Sequence, residues 1–176
     1  ILHAYSDFRP YDKKVFEHLG ELLLPLVNQF NSKDFSTIFS VFARVKVKHE
    51  VLLNEMCKSL PMKLQTFDAV ELGSVCHSVA QLSIFQPQLI NKLSVHVQQK
   101  INQFPPASLA LIANAFNRFC RVSKKENYER ALFSVIQERA SKVLHEFPQD
   151  PRELATVLHC VVESGVITNS FSKMAL

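Results

Sequence analysis

Residues 89–104, LINKLSVHVQQKINQF, carry apolar side chains at a constant spacing of four and end on a phenylalanine. The apolar positions Leu89, Leu93, Val97 and Ile101 lie 15, 11, 7 and 3 residues before Phe104. A spacing of four places these side chains on one face of an α-helix. The stretch therefore predicts a helix that buries one face.

The same pattern occurs three more times along the chain. Phe67 and Phe30 precede Phe104 at intervals of 37 residues (104 − 67 and 67 − 30), and Phe147 closes a fourth segment. The matching apolar positions are Val15, Leu19, Leu23 and Val27; Leu52, Met56, Leu60 and Leu64; and Leu132, Ile136, Ala140 and Leu144. Repetition at this period is typical of solenoids.

A second apolar pattern follows each closing phenylalanine and also has helical spacing. Its members are Phe35, Ile38, Phe39, Phe42 and Val45; Leu72, Val75, Cys76, Val79 and Leu82; Leu109, Ile112, Ala113, Phe116 and Phe119; then, in incomplete units, Leu154, Val157, Leu158 and Val161, and Ile1, Leu2, Tyr5 and Phe8. Each repeat therefore predicts two antiparallel helices, neither of which could bury its apolar face alone.

We predict an all-α fold, a right-handed α-solenoid of stacked two-helix repeats of about 37 residues. The whole chain, 1–176, is expected to be one solenoid. Its complete repeats are 31–67, 68–104 and 105–147, and partial repeats cover 1–30 and 148–176. Because both end repeats are incomplete and apolar, we expect the chain to be a fragment of a longer array.

Two local features refine this prediction. Asp68, with Glu71 three residues later, predicts a capping box at a helix start, and Asp34 predicts a similar cap in the preceding repeat. The third repeat is longer by six residues (28 − 22, counted from Phe119 to Phe147 against the preceding units). We expect the extra residues to form a surface loop within 121–129.

Catalytic motifs are absent from the sequence, which has no glycine-rich phosphate loop, no H-E-x-x-H and no G-x-S-x-G. We therefore expect no enzymatic activity, no catalytic residue and no cofactor. His3, His77 and His159 occupy matching positions, but each lies two repeats from the next, so no shared metal site is expected. No apolar run reaches the roughly 18 to 20 residues that span a bilayer, so no membrane insertion is expected.

A polar stripe is predicted along the first helix of each repeat. We call it the first-helix stripe; it occupies the fifth and ninth positions after the leading apolar residue. Its members are Ser40 and Arg44, His77 and Gln81, Asn114 and Arg118, His159 and Glu163, and, in the partial first repeat, His3 and Asp7. Positions four residues apart share one helix face, and stacking aligns successive pairs into a ladder.

Ladders of this kind read RNA in some helical-repeat proteins, although an ordinary solvated helix face explains the pattern equally well. The net charge of +4 permits a polyanionic partner. The candidates for base or ribose contacts are Ser40, His77, Gln81 and Asn114. The candidates for phosphate contacts are Arg44, Lys46, Lys48, Arg118, Arg121, Lys124 and Lys125.

The segment from Phe104 to Phe116, FPPASLALIANAF, resembles the octotricopeptide and heptatricopeptide repeats of organellar RNA-binding proteins. Similar arrays occur in proteins with a RAP domain and in the FAST kinase-like family. The resemblance implies an RNA-binding protein that acts on organellar transcripts, or a stable component of a mitochondrial ribosome. The negative charges of Asp7 and Glu163 on the first-helix stripe depart from this pattern.

We therefore predict an RNA-binding helical-repeat protein of an organelle. Its partners would be RNA, as an organellar transcript or ribosomal RNA, and neighbouring proteins of a ribonucleoprotein assembly. The expected compartment is the mitochondrion, with the plastid or the cytoplasm as alternatives, and the expected role is RNA processing or stability, or association with the mitoribosome. The alternative is a protein-binding scaffold in a large assembly, with no direct RNA contact.

Overall fold

A computed structural model of the chain describes residues 12–123, 127–147 and 151–166. Within these ranges there are eight α-helices and no β-strand. The helices are α1 (Lys13–Leu23), α2 (Ser32–Val45), α3 (Glu50–Lys63), α4 (Ala69–Gln81), α5 (Pro87–Gln99), α6 (Pro106–Ser123), α7 (Asn127–Lys142) and α8 (Arg152–Glu163). The predicted all-α fold is confirmed.

The helices form two layers, because each helix packs on the helix two positions further along the chain. Helices α2, α4, α6 and α8 contact one another in succession, and so do α1, α3, α5 and α7. Neighbours in sequence, such as α2 and α3, contact each other across the layers. Stacked two-helix repeats require this arrangement. The right-handed sense of the stack and the division into repeats stay predictions.

The core lies between the two layers and is built from the two apolar patterns. Leu52, Met56 and Leu60 on α3 are fully buried, and every member of the second pattern on α2, α4 and α6 is buried as well. These burials confirm the apolar faces that the spacing predicts. The predicted apolar positions Ile1, Leu2, Tyr5 and Phe8 lie outside the described residues.

Each closing phenylalanine follows a short 3₁₀ turn at the end of a second helix. The turns are Leu24–Gln29, Leu64–Thr66, Ile101–Gln103 and Leu144–Glu146. The phenylalanine after each turn has an extended backbone, and its N–H donates to the carbonyl three residues earlier, as from Phe67 to Leu64 at 3.4 Å. A 3₁₀ turn tightens the end of a helix and lets the chain leave towards the next repeat.

The helix starts follow the predicted chemistry with one correction. Asp68 and Glu71 form the predicted capping box at α4, with N–H to carboxylate distances of 2.7 and 3.0 Å. In α2, however, the N-cap is Asn31, and Asp34 is its reciprocal partner three residues later. The prediction of Asp34 as the cap was wrong by one turn, because asparagine satisfies the first N–H groups as well as aspartate does.

The longer third repeat extends its helices where a loop was expected. α6 has 18 residues and α7 has 16, whereas α2 has 14 and α4 has 13. Arg121 belongs to α6, so the predicted loop within 121–129 was wrong at its ends; residues 124–126 lie outside the described part of the chain. Polar residues with good helix propensity extend a helix readily when they lie on its exposed side.

Candidate nucleic-acid interface

A groove of about 1010 Å³ lies across α2, α4 and α6. We call it the basic groove. Seven of the residues predicted to contact RNA line it: Ser40, Arg44, Lys46, Lys48, His77, Gln81 and Arg118. Ser74, Ser78, Ser83, Ala43, Leu82 and Leu111 complete the lining. The structure therefore brings together most of the candidates that the sequence singled out.

The convergence follows from how the first helices stack. The core-facing pattern of α2, α4 and α6 buries one side of each helix, and the first-helix stripe lies on another side of the same helices. Because α2 packs on α4 and α4 on α6, stripe residues from three repeats face a common space. Ser40 and His77 occupy equivalent positions in adjacent repeats, and so do Gln81 and Arg118.

Lys46 and Lys48 reach the groove through the turn that ends α2. Lys46 is the C-cap residue, with φ 55° and ψ 32°, and its N–H donates to Ala43 O at 3.2 Å. Val47 is buried, and its N–H donates to Phe42 O at 3.2 Å. The buried valine anchors the turn, so the lysines on either side of it are exposed. Glycine is the usual residue at such a left-handed C-cap.

The charge lining the basic groove is of one sign. Among the described residues that line it, four are cationic, namely Arg44, Lys46, Lys48 and Arg118, and none is acidic. Lys48 forms a loose ion pair just outside the lining: its Nζ lies 3.9 Å from Glu50 Oε1, and both side chains are exposed. Exposed pairs of this kind contribute little, so the pair with Glu50 leaves Lys48 able to attract a polyanion.

His77 lies near the centre of the groove as a neutral imidazole. Burial, and next the positive charge of Arg118, lower the pKa of His77 below its ordinary value. Its Nδ1 atom is buried and has no hydrogen-bond partner among the described residues. Because Nδ1 is buried, contact with a ribose or a base edge falls to Nε2, which donates or accepts according to the tautomer.

Arg121 lies outside the basic groove and pairs with Glu163. Arg121 Nη2 is 2.6 Å from both carboxylate oxygens of Glu163, and Asn117 Nδ2 donates to the same carboxylate at 2.6 Å. These hydrogen bonds lower the pKa of Glu163. Glu163 is the acidic member of the first-helix stripe, and its charge is thus paired with that of Arg121. Arg121 is itself one of the residues predicted to contact phosphate. His159 Nε2 lies 3.5 Å from the same carboxylate.

Asn114 lines a second cavity, of about 410 Å³, between α6 and α8. Leu111 belongs to the lining of both this cavity and the basic groove, so the two spaces adjoin. The predicted phosphate contacts Lys124 and Lys125, and the stripe residues His3 and Asp7, lie outside the described residues.

Sequence reasoning missed the serines of the basic groove. Ser74 precedes His77 by three residues, and Ser78 precedes Gln81 by three, so each lies on the same helix face as a stripe member. That spacing was visible in the sequence. Their hydroxyls add hydrogen-bonding groups to the groove without adding charge.

A second set of missed residues joins consecutive repeats. Lys63 Nζ donates to Asn28 O at 2.9 Å and to Phe30 O at 2.5 Å, and Lys100 Nζ donates to Gln65 O at 3.1 Å and to Phe67 O. Arg139 makes the corresponding contact with Phe104 O at 3.2 Å. The sequence did contain a signal for these contacts, because Lys63 and Lys100 lie one repeat period of 37 residues apart (100 − 63).

Comparison with known proteins places the chain in an RNA-related context. A sequence profile of the family described as RNA-editing substrate-binding complex 6 protein matches residues 1–172. This description differs from the octotricopeptide, heptatricopeptide, RAP and FAST kinase-like groups, to which the chain bears a resemblance only. Among curated proteins, no sequence is significantly similar to the chain. Within the described residues, no helix is both long enough and apolar enough to cross a bilayer.

Proposed function

The chain belongs to the RNA-editing substrate-binding complex 6 protein family, and from that membership we propose that it is an RNA-binding subunit of an RNA-editing substrate-binding complex. It acts by holding RNA in place and not by catalysis. Its partners are RNA and neighbouring proteins of the complex, and its compartment is the mitochondrion. Association with the mitochondrial ribosome, which the sequence also suggested, stays a prediction.

The basic groove is the observation that carries this proposal. Four cationic side chains face one space, three of them (Arg44, Lys46 and Lys48) from repeat 31–67 and one (Arg118) from repeat 105–147, and no acidic residue is among the described residues of its lining. Arginine and lysine contacts to phosphates supply the sequence-independent part of RNA binding. The serine hydroxyls, Gln81 and the neutral His77 add groups that hydrogen-bond to riboses and base edges.

The size of the electrostatic effect follows from the number of cations. Four phosphate contacts with a single strand give a slope of log affinity against log salt of about −2.8. Affinity then falls about 50-fold between about 50 and 200 mM salt. Loss of one contact reduces the slope to about −2.1. This difference is measurable by fluorescence anisotropy with a labelled single-stranded RNA.

Lys46→Gly is the sharpest test, because the chain offers a matched control. Lys46 and Ser83 both have φ 55°, both line the basic groove, and they are 37 residues apart (83 − 46). Glycine at either position relieves the same left-handed backbone. Only Lys46→Gly removes a charge. We expect Lys46→Gly to weaken RNA binding and flatten its salt dependence, while Ser83→Gly leaves the salt dependence unchanged.

The outcomes separate the two functions considered for this chain. Equal salt slopes for Lys46→Gly, Ser83→Gly and the wild type would remove Lys46 from the interface. Arg118→Ala should also flatten the slope, since it removes another cation of the groove lining. If the wild-type protein binds no RNA even at low salt, the proposal is wrong, and the groove would then serve a protein partner.

A further inference from the structure

The cavity between α6 and α8 has a different chemistry from the basic groove that it adjoins. We propose that it is a pocket for one unstacked nucleobase with a preference for guanine. This inference rests on the proposed function, because the RNA backbone would lie in the neighbouring groove. We call the cavity the base pocket; Ala107, Ala110, Leu111, Asn114, Arg152, Glu153 and Thr156 line it.

Two positions in the repeat carry larger residues at the base pocket than they do between α4 and α6. Between α4 and α6 the helices approach closely: a Cβ atom added at Gly73 would lie 3.2 Å from Ser108 Cβ. Counted from the leading apolar residue of each first helix, the equivalent positions between α6 and α8 are Ala110 and Glu153. Both residues line the cavity of about 410 Å³.

The two walls of the base pocket suit a flat ligand that is rich in N–H donors. The α6 wall is aliphatic, with Ala107, Ala110 and Leu111 available to contact the face of a ring. The α8 wall combines acceptors with one strong donor, the guanidinium of Arg152. Glu153 is a carboxylate, and the hydroxyl of Thr156 already donates to Arg152 O at 2.7 Å, so its oxygen is left to accept.

Guanine matches an acceptor wall better than the other bases do. Its Watson–Crick edge presents two adjacent donors, N1–H and the N2 amino group, to which one carboxylate can bind in a bidentate manner. Adenine and cytosine place a ring-nitrogen acceptor beside their amino group, and uracil places its single N–H between two carbonyls, so each of them opposes Glu153 with an acceptor. The amide of Asn114 can donate to the guanine O6 atom.

The charge pattern argues for a base and against the other occupants. Glu153 offsets the charge of Arg152 in the same lining, so the base pocket attracts a phosphate less than the basic groove does. A planar guanidinium of a basic peptide would also fit an acceptor wall. The four cations of the adjoining groove would repel the rest of such a peptide. Single-stranded RNA satisfies both spaces, with phosphates in one and a base in the other.

The test compares short oligouridines that carry one central guanosine, adenosine or cytidine, titrated at fixed salt. We expect the guanosine oligomer to bind on the order of tenfold more tightly than plain oligouridine. Glu153→Gln should abolish this preference while leaving the salt slope for oligouridine unchanged. The matched control is Glu138→Gln, which removes the same charge from an exposed residue of α7; it should keep the guanosine preference. Circular dichroism melts check that both variants are folded.

Each result bears on a defined claim. If wild-type protein binds all oligomers equally, or if Glu153→Gln keeps the preference, the base pocket is overturned while salt-dependent binding still supports the basic groove. If no oligomer binds at any salt concentration, both proposals fail. Loss of the preference in Glu138→Gln as well would trace it to net charge, and that also overturns the pocket.

Discussion

Lys63 joins two consecutive repeats, and its replacement by methionine is expected to loosen that joint. Its ammonium donates to Asn28 O and Phe30 O, which lie at the end of the preceding repeat. It also lies 5.6 Å from the centroid of the Phe35 ring. The carbonyls at a helix end have no intrahelical partner. Lys63→Met therefore removes their donor while keeping most of the apolar stem.

The magnitude follows from these three contacts. A hydrogen bond from a charged donor contributes about 1.5–3 kcal/mol, and partial exposure reduces this to about 1 kcal/mol for each of the two bonds. A cation–π contact near the surface adds about 0.5 kcal/mol. The variant should lose about 2.5 kcal/mol in total, which lowers Tm by roughly 5–10 °C for a chain of this size.

The assay is thermal unfolding followed by circular dichroism, with Lys92→Met as the matched control. Lys92 is an exposed lysine of α5, so its loss should shift Tm by no more than about 2 °C. Lys100→Met, which breaks the equivalent joint one repeat later, should match Lys63→Met. If Lys63→Met has the same melting temperature as the control Lys92→Met, the lysine contacts do not hold the repeats together and the reasoning is refuted.

Three further predictions test local packing and ionisation. Gly20→Ala should cost about 1 kcal/mol, because the added Cβ would lie 2.3 Å from the ring of His49, which caps α3; a higher melting temperature would contradict this. The lowered pKa of Glu163 means that its stabilisation is present above the unfolded value of 4.5 and is lost as the pH falls through the lower folded value. Glu163→Gln should therefore have a lower melting temperature than the wild type at neutral pH. In acid, the two proteins should have the same melting temperature. Burial raises the pKa of Cys57 and of Cys76 to about 12, so these two thiols should react with a thiol reagent only after unfolding. Rapid labelling of either in the native protein would show that its region opens.

Much of the fold could be predicted because helix periodicity is local. The spacing of Leu52, Met56 and Leu60 is set by 3.6 residues per turn, and all three are fully buried in the structure. The same reasoning located the capping box of Asp68 and Glu71. Periodicity did not predict the 3₁₀ turns or the extension of α6. These features lie at the ends of helices, where the backbone depends on packing against the next repeat.

The candidate site could be predicted only in part. The first-helix stripe put Ser40, His77 and Arg118 on equivalent helix faces, and stacking brings them to one groove. Nothing in the local sequence shows that Arg121 pairs with Glu163, which lies 42 residues further along the chain. Such partners depend on how far apart two helices sit, and that distance is a property of the packed array.

The sequence by itself determined the period, the two apolar faces of each repeat and the first-helix stripe, because these depend only on residue type and helical geometry. The tertiary structure decided which cations share a groove, which of them is matched by an acid, and where a cavity opens. The physical reason is side-chain volume at the helix joints. Gly73 lets α4 and α6 approach, because a Cβ atom there would lie 3.2 Å from Ser108 Cβ, whereas the equivalent positions between α6 and α8 are Ala110 and Glu153, which line a cavity with Asn114.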